Sequence, residues 1–134
     1  MVRAIFSIDS QSRVPVYEQI VSQAERFVLT GVLHTDAAVP SVRALAMDLS
    51  ANPNTIQKAY MELERRGVIY SVPGKGTFIT ETARDKIAQS RLVQLDIIEQ
   101  AAGECRLAGI AKEKTIEAVE RGYAGARPEG VKEA

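Results

Sequence analysis

Apolar residues first fall into a regular spacing at Tyr17, Ile20, Val21, Ala24, Phe27 and Val28, the period of about 3.6 residues of an amphipathic helix, and the stripe stops at Gly31. Pro15 suits the first position of that helix, since the amide it lacks would have no helical partner there. Ahead of it, Ile5, Phe6 and Ile8 alternate briefly before the polar run Asp9 to Arg13, so residues 1–13 read as an arm. Asp36 and Pro40 then turn the chain. Ser41 can cap a short helix whose Val42, Leu45, Ala46 and Leu49 share one face. Ser50-Ala51-Asn52-Pro53 reads as a tight turn, with Asn52 as N-cap and Pro53 opening a third helix. Its stripe is Ile56, Ala59, Tyr60 and Leu63, and Gly67 is its natural stop.

After Gly67 the period drops to two. Val68, Ile69, Tyr70 and Val72 favour a strand, Pro73-Gly74-Lys75-Gly76 a turn, and Thr77 to Thr80 a second strand, which predicts a two-stranded hairpin. From Thr82 the helical spacing returns, with Ala88, Leu92, Leu95, Ile98 and Ala102 along one face and Ile87 and Val93 widening it. Gly103 and Gly109 bracket a weaker stretch, and Ile116, Val119 and Tyr123 mark a last helix. Residues 124–134 carry Gly125, Pro128 and Gly130 without apolar period and read as a flexible tail. The expected fold is therefore mainly α with a small β-hairpin. A winged helix-turn-helix over 1–80 is followed by a two-helix module over 81–123.

Composition narrows the class without naming a partner. The 134 residues carry 17 Lys+Arg against 17 Asp+Glu, a formal charge of zero, and 46% hydrophobic residues, as in an ordinary globular protein. Residues 1–80 and the remainder are each close to neutral, so charge alone does not favour nucleic acid. If nucleic acid is the partner, the cations must gather on one face. The amino terminus meets Asp9 too early for a signal peptide, and no apolar run is long enough to span a bilayer, so a cytoplasmic protein is expected. The single cysteine, Cys105, cannot form an internal disulfide and reads as a half-buried helix residue.

The chemistry lies in the third helix. With its apolar stripe turned inward, Asn54, Gln57, Lys58, Met61 and Arg65 face outward, and no carboxylate stands between positions 52 and 61. The second helix of a helix-turn-helix pair enters the major groove, where Asn and Gln can read adenine and Lys can reach guanine or phosphate. Arg43 and Lys75 would flank that surface, so that Arg43, Lys58, Arg65 and Lys75 surround it with positive charge. Arg43 can fork onto phosphate or guanine, or pair with Asp48. Asn52 and Thr55 can face a phosphate or simply satisfy the first turn of the helix. Gly74 and Gly76 permit a tight turn and close backbone approach to the minor groove, or are ordinary turn glycines.

Four blocks in order, Pro40-Ser41-Val42-Arg43-Ala44-Leu45-Ala46, Asn52-Pro53-Asn54-Thr55-Ile56-Gln57-Lys58-Ala59-Tyr60, Leu63-Glu64-Arg65-Arg66-Gly67 and Gly74-Lys75-Gly76-Thr77-Phe78-Ile79, resemble the GntR family of bacterial transcriptional regulators. The Asn-Pro-Asn-Thr turn and the Ala-Tyr pair are most similar to its YtrA branch. The resemblance covers residues 13–80 and implies DNA contact by Arg43, Asn52, Asn54, Thr55, Gln57, Lys58 and Gly74, to which the charge of Lys75 is added. The sequence departs from the family pattern at Asp36, where a loop glycine is usual, at Ser50-Ala51, where Gly-Val is usual, and at Val39, where Leu is usual.

After the hairpin about 54 residues remain, too few for an aminotransferase-like domain or a large helical ligand domain. Two helices with apolar faces should bury Leu92, Leu95, Ile98, Ile116, Val119 and Tyr123 against each other and a second copy. The YtrA resemblance implies the same homodimer, and a small-molecule effector has room between the C-terminal helices of that dimer. No catalytic set is apparent: His34 is the only histidine and has no neighbouring cysteine, and the glutamates from Glu99 to Glu120 read as solvated faces. The expected protein is a regulator, without cofactor or metal, that binds an inverted-repeat operator in the cytoplasm and is nucleoid-associated when bound. The competing reading is a winged-helix interaction or architectural module, which should expose larger apolar residues on its third helix.

Overall fold

The structure is a computed structural model and describes residues 6–125. Of the tail expected over 124–134, Ala124 ends a helix and Gly125 caps it, while residues 126–134, like residues 1–5 of the arm, lie outside the described residues. The chain divides into two units between Arg91 and Leu92.

The first unit opens with α1 (Val16–Leu29), followed by β1 (Ala38–Val39), α2 (Val42–Leu49), α3 (Pro53–Arg65), β2 (Ile69–Val72), β3 (Gly76–Ile79) and α4 (Ala83–Ser90). Ser41 Oγ accepts from the Ala44 amide at 3.1 Å and Asn52 Oδ1 from the Asn54 amide at 2.8 Å, so both expected caps are made. Pro15 sits one position earlier than expected, as the N-cap of α1. The expected stripes meet in one core: Ile20, Val21, Ala24 and Val28 of α1 pack with Leu45 and Ala46 of α2 and with Ile56, Ala59, Tyr60 and Leu63 of α3. Tyr60 Oη donates to the Pro40 carbonyl at 2.6 Å, tying α3 to the approach of α2. Burial pushes the Tyr60 hydroxyl above its ordinary pKa, which keeps it a donor.

The hairpin is larger than expected. β1 adds to the free edge of β3, giving a three-stranded antiparallel sheet in the order β1-β3-β2 with Ala38 opposite Phe78 and Ile69 opposite Ile79. A two-residue strand carries no readable alternation. It is recruited by long-range pairing, with the Asp36 amide on the Ile79 carbonyl at 2.9 Å and the Ile79 amide on the Ala37 carbonyl at 3.0 Å.

The helix expected to run on from Thr82 is broken, and its first part belongs with the winged helix. In α4, Ala83 and Ile87 are buried in the common core while Ala88 is exposed, so the apolar face that sequence spacing continued from Ala88 into Leu92 is not the face that α4 buries. Arg91 and Leu92 both keep right-handed helical backbone angles, so neither glycine nor proline marks the break. What distinguishes Arg91 is a distant partner. Glu25 of α1 is 2% exposed and accepts from Arg91 Nη2 at 3.2 Å and from Arg66 Nη1 at 3.1 Å, clasping the end of α4 and the C-cap of α3 to α1. Arg84 secures the other side of α4 by donating to the Leu29 carbonyl at 2.8 Å.

The second unit contains α5 (Val93–Leu107) and α6 (Lys112–Ala124), the latter ended by Gly125 in the left-handed region at φ 73°. Neither helix buries a single residue.

Candidate nucleic-acid interface

The outward face of α3 is built by the same geometry that buries its stripe. With Ile56, Ala59, Tyr60 and Leu63 inside, Asn54, Gln57, Lys58 and Met61 are exposed. They line a groove of about 550 Å³ together with Glu62, Arg65 and Tyr17 of α1. Asn52 at the leading end is exposed, but its carboxamide oxygen is committed to the cap, so only its amide nitrogen is left to donate elsewhere. Thr55 is half-buried and its hydroxyl makes no hydrogen bond among the described residues.

Arg43 lies exposed on the first turn of α2, without an ion-pair partner among the described residues, so the alternative pairing with Asp48 is not made. At the sheet, the Lys75 amide closes the turn on the Val72 carbonyl at 2.9 Å, with Gly74 at φ 78° and Gly76 at φ 128°. These angles suit glycine, so the turn accounts for both glycines and presents Lys75 exposed at its tip.

Arg65 differs from the sequence expectation. It lies at the trailing end of α3 and is spent on Glu62, donating through Nε at 3.0 Å and through Nη2. Arg66 donates to the same carboxylate at 2.7 Å. The hydrogen bonds from Arg65 and then Arg66 hold the Glu62 carboxyl well below the usual carboxylate range, at about 2. Of the four cations expected to surround this face, Arg43, Lys58 and Lys75 have no carboxylate partner among the described residues and Arg65 does. Lys58 Nζ instead sits 4.1 Å from the centroid of the Tyr17 ring. In the sequence Tyr17 is only one position of the apolar stripe of α1; a half-buried aromatic at the start of that helix carries no local signal of facing α3.

Of the residues expected to dimerise, Ile98, Val119 and Tyr123 come together in a groove of about 690 Å³ between α5 and α6, with Ala101, Ala118 and Cys105. Leu92, Leu95 and Ile116 lie outside that lining and are exposed. His34 is an exposed loop residue, and no group of three metal-ligating side chains forms among the described residues. Nor is any described helix long and apolar enough to cross a membrane.

Two paired helices presenting an amide-rich face, with a β-wing beside them, define a winged helix-turn-helix DNA-binding protein. Residues 16–79 match the family described as bacterial regulatory proteins, gntR family. The chain is 38% identical over 114 residues to the HTH-type transcriptional repressor YtrA of Bacillus subtilis, covering 84% of this chain and 88% of that protein. A crystal structure of a transcriptional regulator from Oenococcus oeni superposes with a TM-score of 0.70 at 34% identity, covering 87% of this chain and 97% of that one. The DNA-binding domain of AraR, solved in complex with operator ORX1, matches 57% of this chain and 96% of its own with a TM-score of 0.51 at 26% identity. The chain belongs to the GntR family. It is a DNA-binding transcriptional regulator, not an enzyme.

Proposed function

We propose that this protein is a repressor that binds an inverted-repeat operator as a homodimer, acting on cytoplasmic DNA. The observation that carries the reading is the face of α3: Asn54, Gln57 and Lys58 exposed side by side and free of carboxylates, with Met61 the one large apolar group among them. Gln57 and Asn54 suit base edges in the major groove; Arg43, Lys58 and Lys75 suit phosphates; Asn52 and Thr55 face the backbone at the helix N-terminus; and Gly74 lets the wing approach the minor groove. A protein-docking helix would present a broader apolar surface.

The homodimer rests on the second unit. Ile98 is 46% exposed, Val119 38% and Tyr123 89%, and two helices without a buried residue have no core of their own. A second copy supplies the missing apolar surface, and closed two-fold pairing explains an inverted repeat. The groove between α5 and α6 is also where a small-molecule effector would be held.

Selection of binding sites from random duplexes by the purified protein tests the reading. The expected product is an inverted repeat with half-site centres about one helical turn, roughly 34 Å, or a multiple apart. Enrichment of isolated half-sites would overturn the homodimer, and no enrichment would overturn sequence reading by α3.

A further inference from the structure

Lys58 makes no salt bridge among the described residues. Its natural helical partner, Glu62, lies four residues on, a spacing at which opposite charges pair. Glu62 is taken by Arg65 and Arg66, and the Lys58 ammonium rests 4.1 Å from the centroid of the Tyr17 ring. The ring is held in place: Tyr17 is half-buried, packs against the core of the first unit, and its hydroxyl donates to Glu18 Oε1 at 3.3 Å. An aromatic face orients an ammonium without neutralising it, whereas a carboxylate would do both. Ring and lysine lie in the groove that also holds Asn54 and Gln57.

We propose that Tyr17 is a positioning residue that holds the Lys58 ammonium, charged and oriented, for a phosphate of the operator backbone. The proposal rests on the reading that α3 faces DNA. Tyr17 acts through Lys58 and needs no DNA contact of its own. The Arg65–Glu62–Arg66 cluster serves the same end by occupying the carboxylate that would otherwise draw Lys58 along the helix.

A double-mutant cycle on operator binding by the full chain, measured over a range of salt, tests this. Tyr17→Leu should weaken binding by about two- to fivefold, and Tyr17→Phe, which keeps the ring, should retain wild-type affinity. Lys58→Met should lower the salt slope by about 0.9, the loss of one phosphate contact. In the Lys58→Met background, Tyr17→Leu should have no further effect. An equal loss in both backgrounds would overturn the proposal, as would a loss in Tyr17→Phe matching that in Tyr17→Leu, which would assign the role to the hydroxyl. An unchanged slope in Lys58→Met, with Gln57→Ala still altering base preference, would overturn Tyr17–Lys58 positioning while leaving DNA reading by α3 intact. Proton NMR of the free protein gives a readout independent of the variants' folding. The Lys58 ε-methylene protons should be shifted upfield by the ring in the wild type and in Tyr17→Phe, and random-coil shifts in the wild type would overturn the proposal.

Discussion

Two residues carry backbone conformations that their side chains disfavour. Ser50 at φ 52° and Asp36 at φ 63° are the non-glycine residues in the left-handed region among those described. Both were marked in the sequence as departures from a usual glycine, and the backbone keeps the turn that glycine would make. Their compensation differs. Asp36 accepts a hydrogen bond from Tyr70 Oη at 3.2 Å, while the Ser50 side chain has no hydrogen bond among the described residues. Ser50→Gly should therefore raise stability by about 0.5–1 kcal/mol, the relief of left-handed strain less the extra chain entropy of glycine. Asp36→Gly should be close to neutral, because it also gives up the tyrosine contact; urea unfolding midpoints separate the two. Glu62 gives a pH signature. Its carboxyl is held at about 2 in the folded protein, below the 4.5 of the free group, so its contribution is full above pH 4.5 and lost as pH falls toward 2. Wild type and Glu62→Gln should accordingly converge in unfolding midpoint across that acid window and differ above it.

At the scale of elements, α1, α2 and α3 were legible because their apolar stripes and the caps at Ser41 and Asn52 are local signals. β1 was not, since a two-residue strand exists only by pairing with β3. The break after α4 was equally hidden: no breaker residue marks it, and the spacing from Ala88 to Leu92 suggests one continuous face. The two elements set against DNA make separable predictions. Gln57→Ala on α3 should lose about 1–3 kcal/mol of discrimination at one base position, read by competition with single-base operator variants. Lys75→Ala at the turn before β3 should leave base preference unchanged and reduce the salt slope by about one unit. Uniform weakening in the first case, or an unchanged slope in the second, would move those side chains off their assigned partners.

For the whole molecule, the formal charge of zero takes on a different meaning once the carboxylates are located. Glu62 is taken by Arg65 and Arg66 and the buried Glu25 by Arg66 and Arg91, so neutral composition coexists with an outward face of α3 that carries Lys58 uncompensated. With Arg43, Lys58 and Lys75 as the unpaired cations beside α3 and no net charge behind them, non-specific affinity should be low and binding should depend on base contacts and on dimerisation. Leu95→Asp combined with Ile98→Asp should yield monomers in sedimentation that bind half-sites weakly; a persisting dimer would place the interface elsewhere than on α5. Leu95 lies outside the groove and Ile98 within it, so single variants at each position would also divide the interface between the groove and the outer face.

The helical periods, the caps, the outward amides of α3 and the family were legible without coordinates, because each is written in residues close together along the chain. Tertiary structure decided which charges stay free and which apolar residues belong to which unit. Glu25 meets Arg66 across 41 residues and Arg91 across 66, and those pairings anchor the end of α4. Ile87 joins the core of the first unit while Ile98 and Val119 stay exposed, although all three carry the same helical signal. Periodicity reports that a face is apolar; only packing decides what covers it.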